Sequence, residues 1–172
     1  MTNPPLIRIQ FESPDQPEIL QLIAELDAYQ RTLYPPESIY ALDLAGLMAP
    51  QVRFAVARAA EERDGAPGPA LGCGAVLLGA EHGELKRMFV HPSARGQGLA
   101  RRLLTRLETE ARAAGCAFMR LETGPYQTEA LALYAACGYQ RRGPFGDYPD
   151  DPYSVFMEKA LLLPPGPPDA RL

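Results

Sequence analysis

Tryptophan is absent from this chain, histidine occurs twice and cysteine three times, and these scarcities exclude several kinds of chemistry. With only His82 and His91 to combine with Cys73, Cys116 and Cys137, no zinc-ligand spacing arises, and no metal is expected. The cysteines stand apart among Ala, Gly and Leu without a CxxC pair. They read as buried, reduced thiols, and their odd number argues against a secreted disulfide scaffold. Long apolar runs are missing too: the longest, Ala70 to Ala80, falls short of the about 20 residues that span a bilayer. The N-terminal MTNPPLIRIQFESPDQ has no basic stretch followed by an apolar one, so no signal peptide is expected and the chain is placed in the cytoplasm, off the membrane.

Excess positive charge is also lacking. A net charge of -4 and a pI near 5.2 give no basic patch for a phosphate backbone, so nucleic acid is not an expected partner. A cationic or amine partner suits that balance better. What the chain has is material for a core, with 47% apolar and 22% charged residues over 172 positions. A chain of this length forms one domain that buries about two thirds of its unfolded surface. We expect that single domain over residues 1–162 and a disordered tail over 163–172, where Pro and Gly dominate. A homodimer is an assembly that the composition leaves open.

Leu6 to Phe11 alternates as a strand does, and Ser13-Pro14-Asp15 breaks it and supplies a cap. Ile19, Leu22, Ile23, Leu26 and Tyr29 then recur at helical spacing until Tyr34-Pro35-Pro36. Ser38 to Ala49 reads as a second helix and Val52 to Ala59 as a strand. A charged, Gly- and Pro-rich connection over residues 60–69 reads as a hairpin loop. Strands follow over Leu71 to Leu78 and Glu84 to Val90, then an amphipathic helix over Gly98 to Ala114 that stops at Gly115. Cys116 to Thr123 is a strand, Thr128 to Cys137 a helix, and Tyr139 to Arg142 and Tyr153 to Lys159 are strands. The order βααβββαβαββ predicts an α+β fold, a mixed sheet flanked by helices.

The most informative stretch is ELKRMFVHPSARGQGLAR, from Glu84 to Arg101, which passes from a strand through a glycine-bearing loop into a helix. A helix N-terminus offers unpaired N–H groups and partial positive charge, and glycines let a pyrophosphate come close to that backbone. A dinucleotide fingerprint competes for this segment. It fits poorly, because Pro92 to Arg95 intervene between strand and glycines and Arg101 stands where a third small residue is needed.

Arg95-x-x-Gly98-x-Ala100 resembles the acetyl-CoA signature of Gcn5-related N-acetyltransferases (GNATs), and Ala130-Leu-Ala-Leu-Tyr134-x-x-x-Gly138-Tyr139 resembles a second motif of that family. Together they span Glu84 to Tyr139. The resemblance implies the GNAT acyl-CoA N-acyltransferase fold and acetyl-CoA as co-substrate. It places the backbone of Met88, Phe89 and Val90 along the pantetheine arm, like an added strand, and Arg95, Gly96, Gln97, Gly98, Leu99, Ala100 and Arg101 around the pyrophosphate. Gln127 stands where many relatives carry Asn, as a further cofactor contact.

Acetyl transfer to an amine needs a deprotonated nucleophile, donors for an oxyanion and a proton for the leaving thiolate. The resemblance assigns the last role to Tyr134, a position that spacing alone would read as core. For the base it points to Glu84, four residues before Met88, with Glu122 as rival; a solvated strand-end acid is the bland reading of either. A backbone N–H of Met88 to Val90 is the oxyanion donor. His91 reads as a loop residue, Lys86 and Arg87 as outward-facing, and Arg101, Arg102, Arg106 and Arg112 as a solvated face paired with Glu108 and Glu110. The loop from Gly143 to Tyr153, carrying Asp147, Tyr148, Asp150 and Asp151, reads either as an acceptor-binding element or as a solvated hairpin. Function is thus expected to be direct acetyl transfer to a primary amine of a small molecule, such as an amino acid. A protein N-terminus or lysine as acceptor, and a non-catalytic acyl-CoA-binding regulator, stand as alternatives.

Overall fold

The computed structural model describes residues 6–60 and 65–161, so the expected tail and part of the 60–69 connection lie outside the described residues. Seven strands form one sheet in the order β1-β2-β3-β4-β5-β7-β6. The strands are β1 Ile7–Phe11, β2 Val52–Ala59, β3 Ala70–Leu78, β4 His82–Val90, β5 Phe118–Thr123, β6 Gln140–Arg142 and β7 Val155–Ala160. The helices are α1 Pro17–Leu33, α2 Leu44–Leu47, α3 Leu99–Ala113 and α4 Thr128–Ala136. All neighbouring strands are antiparallel except β4 and β5.

Alternation along β2 builds both layers. Val52, Phe54 and Val56 join Ile19, Leu22 and Leu26 of α1 on one face, while Ala55 and Ala57 meet Leu103, Leu104 and Leu107 of α3 on the other. Helices cover both faces, which is why β2 and β3 read as nearly continuous apolar runs.

Three expectations are corrected. The helix expected over Ser38 to Ala49 shrinks to a 3-10 turn at Pro36–Ser38 and the single turn of α2. Pro35 and Pro36 hold the chain extended or tightly turned, and Asp43 caps α2 late by accepting from the Gly46 amide at 2.8 Å. The Ser13-Pro14-Asp15 cap is not used either: α1 starts at Gln16, which makes no side-chain capping bond, with Pro17 in the first turn. Finally, the arginines of α3 are exposed as expected, but the contacts of this face run to other elements instead of pairing within the helix. Arg102 donates to the Ile7 carbonyl at 2.8 Å and Arg112 to that of Leu161 at 2.9 Å. Arg106 lies 4.5 Å over the Phe11 ring. Glu108, only 6% exposed, accepts from Tyr139 at 3.0 Å and from Lys159 at 2.8 Å.

Candidate active site

The site begins where two parallel strands part. β4 and β5 pair only from His82 and Phe118 to Glu84 and Arg120, and beyond that point the β5-facing edge of Leu85–Val90 is unpaired. Arg87 produces the departure. It is the one described non-glycine residue with positive φ, 55°, at an irregularity in the pairing with β3. Its guanidinium is anchored by Asp27 and donates to the Leu42 carbonyl at 2.9 and 3.1 Å. A bulge re-aims the strand that carries it, and here the anchors hold a backbone conformation that would otherwise be costly.

A groove of about 480 Å³ fills one side of the opening, between the strand end at 88–90, the first turn of α3 and the inner face of α4. Gly96 and Gly98 take φ of 77° and 73°, a region where a side chain is disfavoured. No side chain caps the amides of the first turn of α3. Arg95 and Arg101 border the same end, and Arg95 is steadied by a 3.0 Å bond to the Val90 carbonyl and by the Phe89 ring. Unpaired amides, two cations and a close-approach backbone fit a pyrophosphate, and the free strand edge fits an extended, amide-bearing arm. Of the residues expected around the phosphates, Gly96, Gly98, Leu99 and Ala100 border the groove and Gln97 does not. Gln127 borders it with its oxygen turned back to the Gly124 amide at 3.3 Å, so its NH₂ is the end left for a ligand.

A second, smaller cavity of about 80 Å³ lies beyond, and Leu26, Met88, Gln127 and Tyr134 border both. Tyr134 is therefore at the junction. It is 6% exposed. Burial pushes its pKa above the ordinary tyrosine value, so the hydroxyl stays protonated.

Glu122 borders the small cavity. Burial lifts its pKa to about 7, against a hydrogen bond from Ser154 and the charge of Lys86. Glu84 borders neither cavity. Its carboxylate accepts from Tyr148 at 2.5 Å and pairs with Lys86 at 2.9 Å. Tyr148 belongs to the loop between β6 and β7, which closes over this end of the sheet. Phe145 is buried there against His82 and Phe156, and Asp151 accepts from the Tyr40 hydroxyl at 2.8 Å. Tyr148 and Asp151 thus make internal contacts, while Asp147, Asp150 and most of the rest of the loop are exposed.

Sequence reasoning missed Lys86 and Arg87, whose side chains are only 13% and 8% exposed. The adjacent charges interrupt the apolar alternation of β4, and that break was the available signal of a bulge. Helical spacing places Gln30 on the water side of the first helix, whereas its Oε1 is buried and it borders the small cavity with Tyr34, Tyr40 and Tyr153, which carry no motif. His91 is a loop residue as expected, bonded to Ser93. None of the three cysteines borders either cavity; Cys73 and Cys116 are buried and Cys137 is half-buried, all unpaired.

Comparison with known proteins agrees with this geometry. The model of the Acetyltransferase (GNAT) family matches residues 18–139. An IAA acetyltransferase of Azospirillum brasilense is 51% identical over 159 residues, 91% of this chain and 99% of that protein. The uncharacterized N-acetyltransferase YsnE of Bacillus subtilis is 36% identical over 84% of this chain and 93% of its own. A crystal structure from Klebsiella pneumoniae, of a protein assigned as an acyl-CoA N-acyltransferase, superposes with a TM-score of 0.74 at 40% identity, covering 91% of this chain and 99% of that one.

Proposed function

The chain belongs to the acetyltransferase (GNAT) family and is an N-acetyltransferase; on that premise we propose that it moves the acetyl group of acetyl-CoA directly to the primary amine of a small molecule. One observation carries the reading: Tyr134 stands where the phosphate-fitting groove and the small polar cavity meet. Donor and acceptor then reach the same hydroxyl from opposite sides.

Bound in the groove, acetyl-CoA supplies the activated acyl carbon and the thiolate leaving group. Arg95, Arg101 and the first-turn amides of α3 hold its phosphates, and the free edge of Met88–Val90 aligns its arm. A backbone N–H of that strand donates to the carbonyl oxygen as negative charge gathers there. Glu122, with a pKa of about 7, takes a proton from the ammonium and exposes the nitrogen lone pair. As the C–N bond forms and the C–S bond breaks, Tyr134 gives the sulfur a proton. Of the two protons that the nitrogen sheds, one leaves through Glu122 and the other balances the one Tyr134 delivers.

Glu84 is the weaker candidate for the base, since its charge is engaged by Lys86 and Tyr148. We assign it to holding those two side chains. The cysteine-free cavities support direct transfer without an acyl-enzyme. The single domain over residues 1–162 remains part of the same proposal.

The test is calorimetric titration with acetyl-CoA, followed by thiol release over amines, amino acids and peptides, with IAA included because the Azospirillum brasilense relative is named for it. Binding with turnover on a small amine is the expected result. Binding without turnover on any acceptor would put the non-catalytic regulator in its place.

A further inference from the structure

The small cavity holds two cations, and both are already neutralised. Lys86 lies 2.9 Å from Glu84 and also meets the Tyr148 hydroxyl. Arg87 is paired with Asp27 and satisfied further by the Leu42 carbonyl. No other Lys, Arg or His borders this cavity among the described residues.

Its hydrogen-bond acceptors are in the opposite condition. Gln30 Oε1 is buried with no hydrogen-bond partner, the only such side-chain atom among the described residues. Glu122 is bonded at Oε1 by Ser154, 2.9 Å away, which leaves Oε2 for whatever enters. Tyr40 spends its hydroxyl proton on Asp151, so toward any further partner its oxygen accepts. A buried acceptor left unmatched loses its hydration with nothing in return, and a ligand N–H restores it.

Resting on the proposal that the amine binds here, we infer that the acceptor is a compact amine carrying no carboxylate beside the nitrogen, its ammonium shared between Gln30 and Glu122. A carboxylate entering with it would find no uncompensated cation, would have to break the Lys86–Glu84 or Arg87–Asp27 pair, and would face Glu122. Desolvating an anion without a partner is costly. The aromatic side chains of Tyr34 and Tyr40 on the cavity border, by contrast, suit a cation and its alkyl stem. Size gives the same direction: about 80 Å³ seats roughly five to eight water-sized atoms, each taking about 10–15 Å³, a small alkyl or hydroxyalkyl amine. Gln30 then fixes specificity. Once Glu122 has taken one proton, a remaining N–H stays on Gln30 Oε1 and sets the direction of the lone pair.

The experiment compares each amine with the amino acid that has the same side chain: isobutylamine with valine, ethanolamine with serine, putrescine with ornithine. Each is titrated calorimetrically into full-length protein saturated with coenzyme A, which reads binding without transfer. The inference expects every amine to bind at least ten-fold more tightly than its amino acid. It expects Gln30→Leu to weaken amine binding about ten-fold, and Gln30→Glu to preserve or tighten it, with coenzyme A affinity unchanged in both. Amino acids binding as tightly as the amines, no amine binding at all, or a Gln30→Leu variant that binds amines normally would each overturn it. Failure of the broader reading is distinguishable, because it shows as loss of acetyl-CoA binding or absence of thiol release.

Discussion

The hydroxyl of Tyr148 donates to Glu84, joining the loop before β7 to β4 across 64 residues of sequence. The same oxygen meets Lys86, whose ammonium closes the triangle on Glu84 at 2.9 Å. Burial, then the hydrogen bond to Glu84, raises the Tyr148 pKa, so the phenol remains a donor. Removing that hydroxyl takes one hydrogen-bond partner from Glu84 and one from Lys86, leaves their ion pair in place and loosens the loop against β4.

Tyr148→Phe is therefore expected to raise the acceptor KM about five- to ten-fold while the Kd for acetyl-CoA stays within two-fold. Stability should fall by about 1.5–3 kcal/mol, the usual worth of a hydrogen bond to a charged group. Steady-state kinetics and denaturant unfolding check the two parts.

Glu122 gives a pH signature. Its folded pKa is raised from 4.5 to about 7 by burial, with Ser154 and Lys86 opposing and Glu84 and Asp151 adding to the rise. The folded protein binds this proton more tightly than the unfolded chain. Its contribution is complete below pH 4.5 and fades as pH climbs through 7. Glu122→Gln should accordingly gain thermal stability over the wild type at pH 8 and little at pH 5. In kinetics, the wild-type rise of kcat/KM through a limb near 7 should disappear, and activity should drop about 10²- to 10⁴-fold, the range for a general base.

Gly124 is fixed by Tyr34. A Cβ at this position would sit 1.9 Å from the Tyr34 hydroxyl, which itself accepts from the Tyr126 amide at 3.1 Å. Gly124→Ala must push the ring away from the cavity wall. The expected cost is about 1–3 kcal/mol of stability, as for other overpacked sites, with a raised acceptor KM. A melting curve matching the wild type would contradict the packing described here.

At the other end of the groove, Gly98 has φ 73°, a conformation that costs a residue with a side chain roughly 1–2 kcal/mol. Gly98→Val is expected to weaken acetyl-CoA binding about 10- to 100-fold by moving the α3 amides. Calorimetry reads this directly.

Local chemistry was legible in the sequence. The strand, glycine loop and helix from Glu84 to Arg101 appear in the order that consecutive residues predict, and β2 appears with the bounds expected for it. What was not legible depends on distant partners. Arg87 binds Asp27 across 60 residues, and Tyr148 meets Lys86 across 62; neither spacing leaves a periodic trace. The same reason separates Glu84 from Glu122. Both lie on strands beside the opening, and only the fold shows one engaged by Lys86 and the other facing the cavity beside Ser154. The overlong second helix came from reading apolar content where Pro36 and Asp43 set the local geometry.

The most direct test of the central claim is Tyr134→Phe, measured for acetyl-CoA affinity and for kcat on the best acceptor. If Tyr134 delivers the proton at the meeting point of the two cavities, Kd stays within about two-fold and kcat falls by about 10²-fold or more, within the range of a lost acid catalyst. A variant that turns over at the wild-type rate would contradict the account.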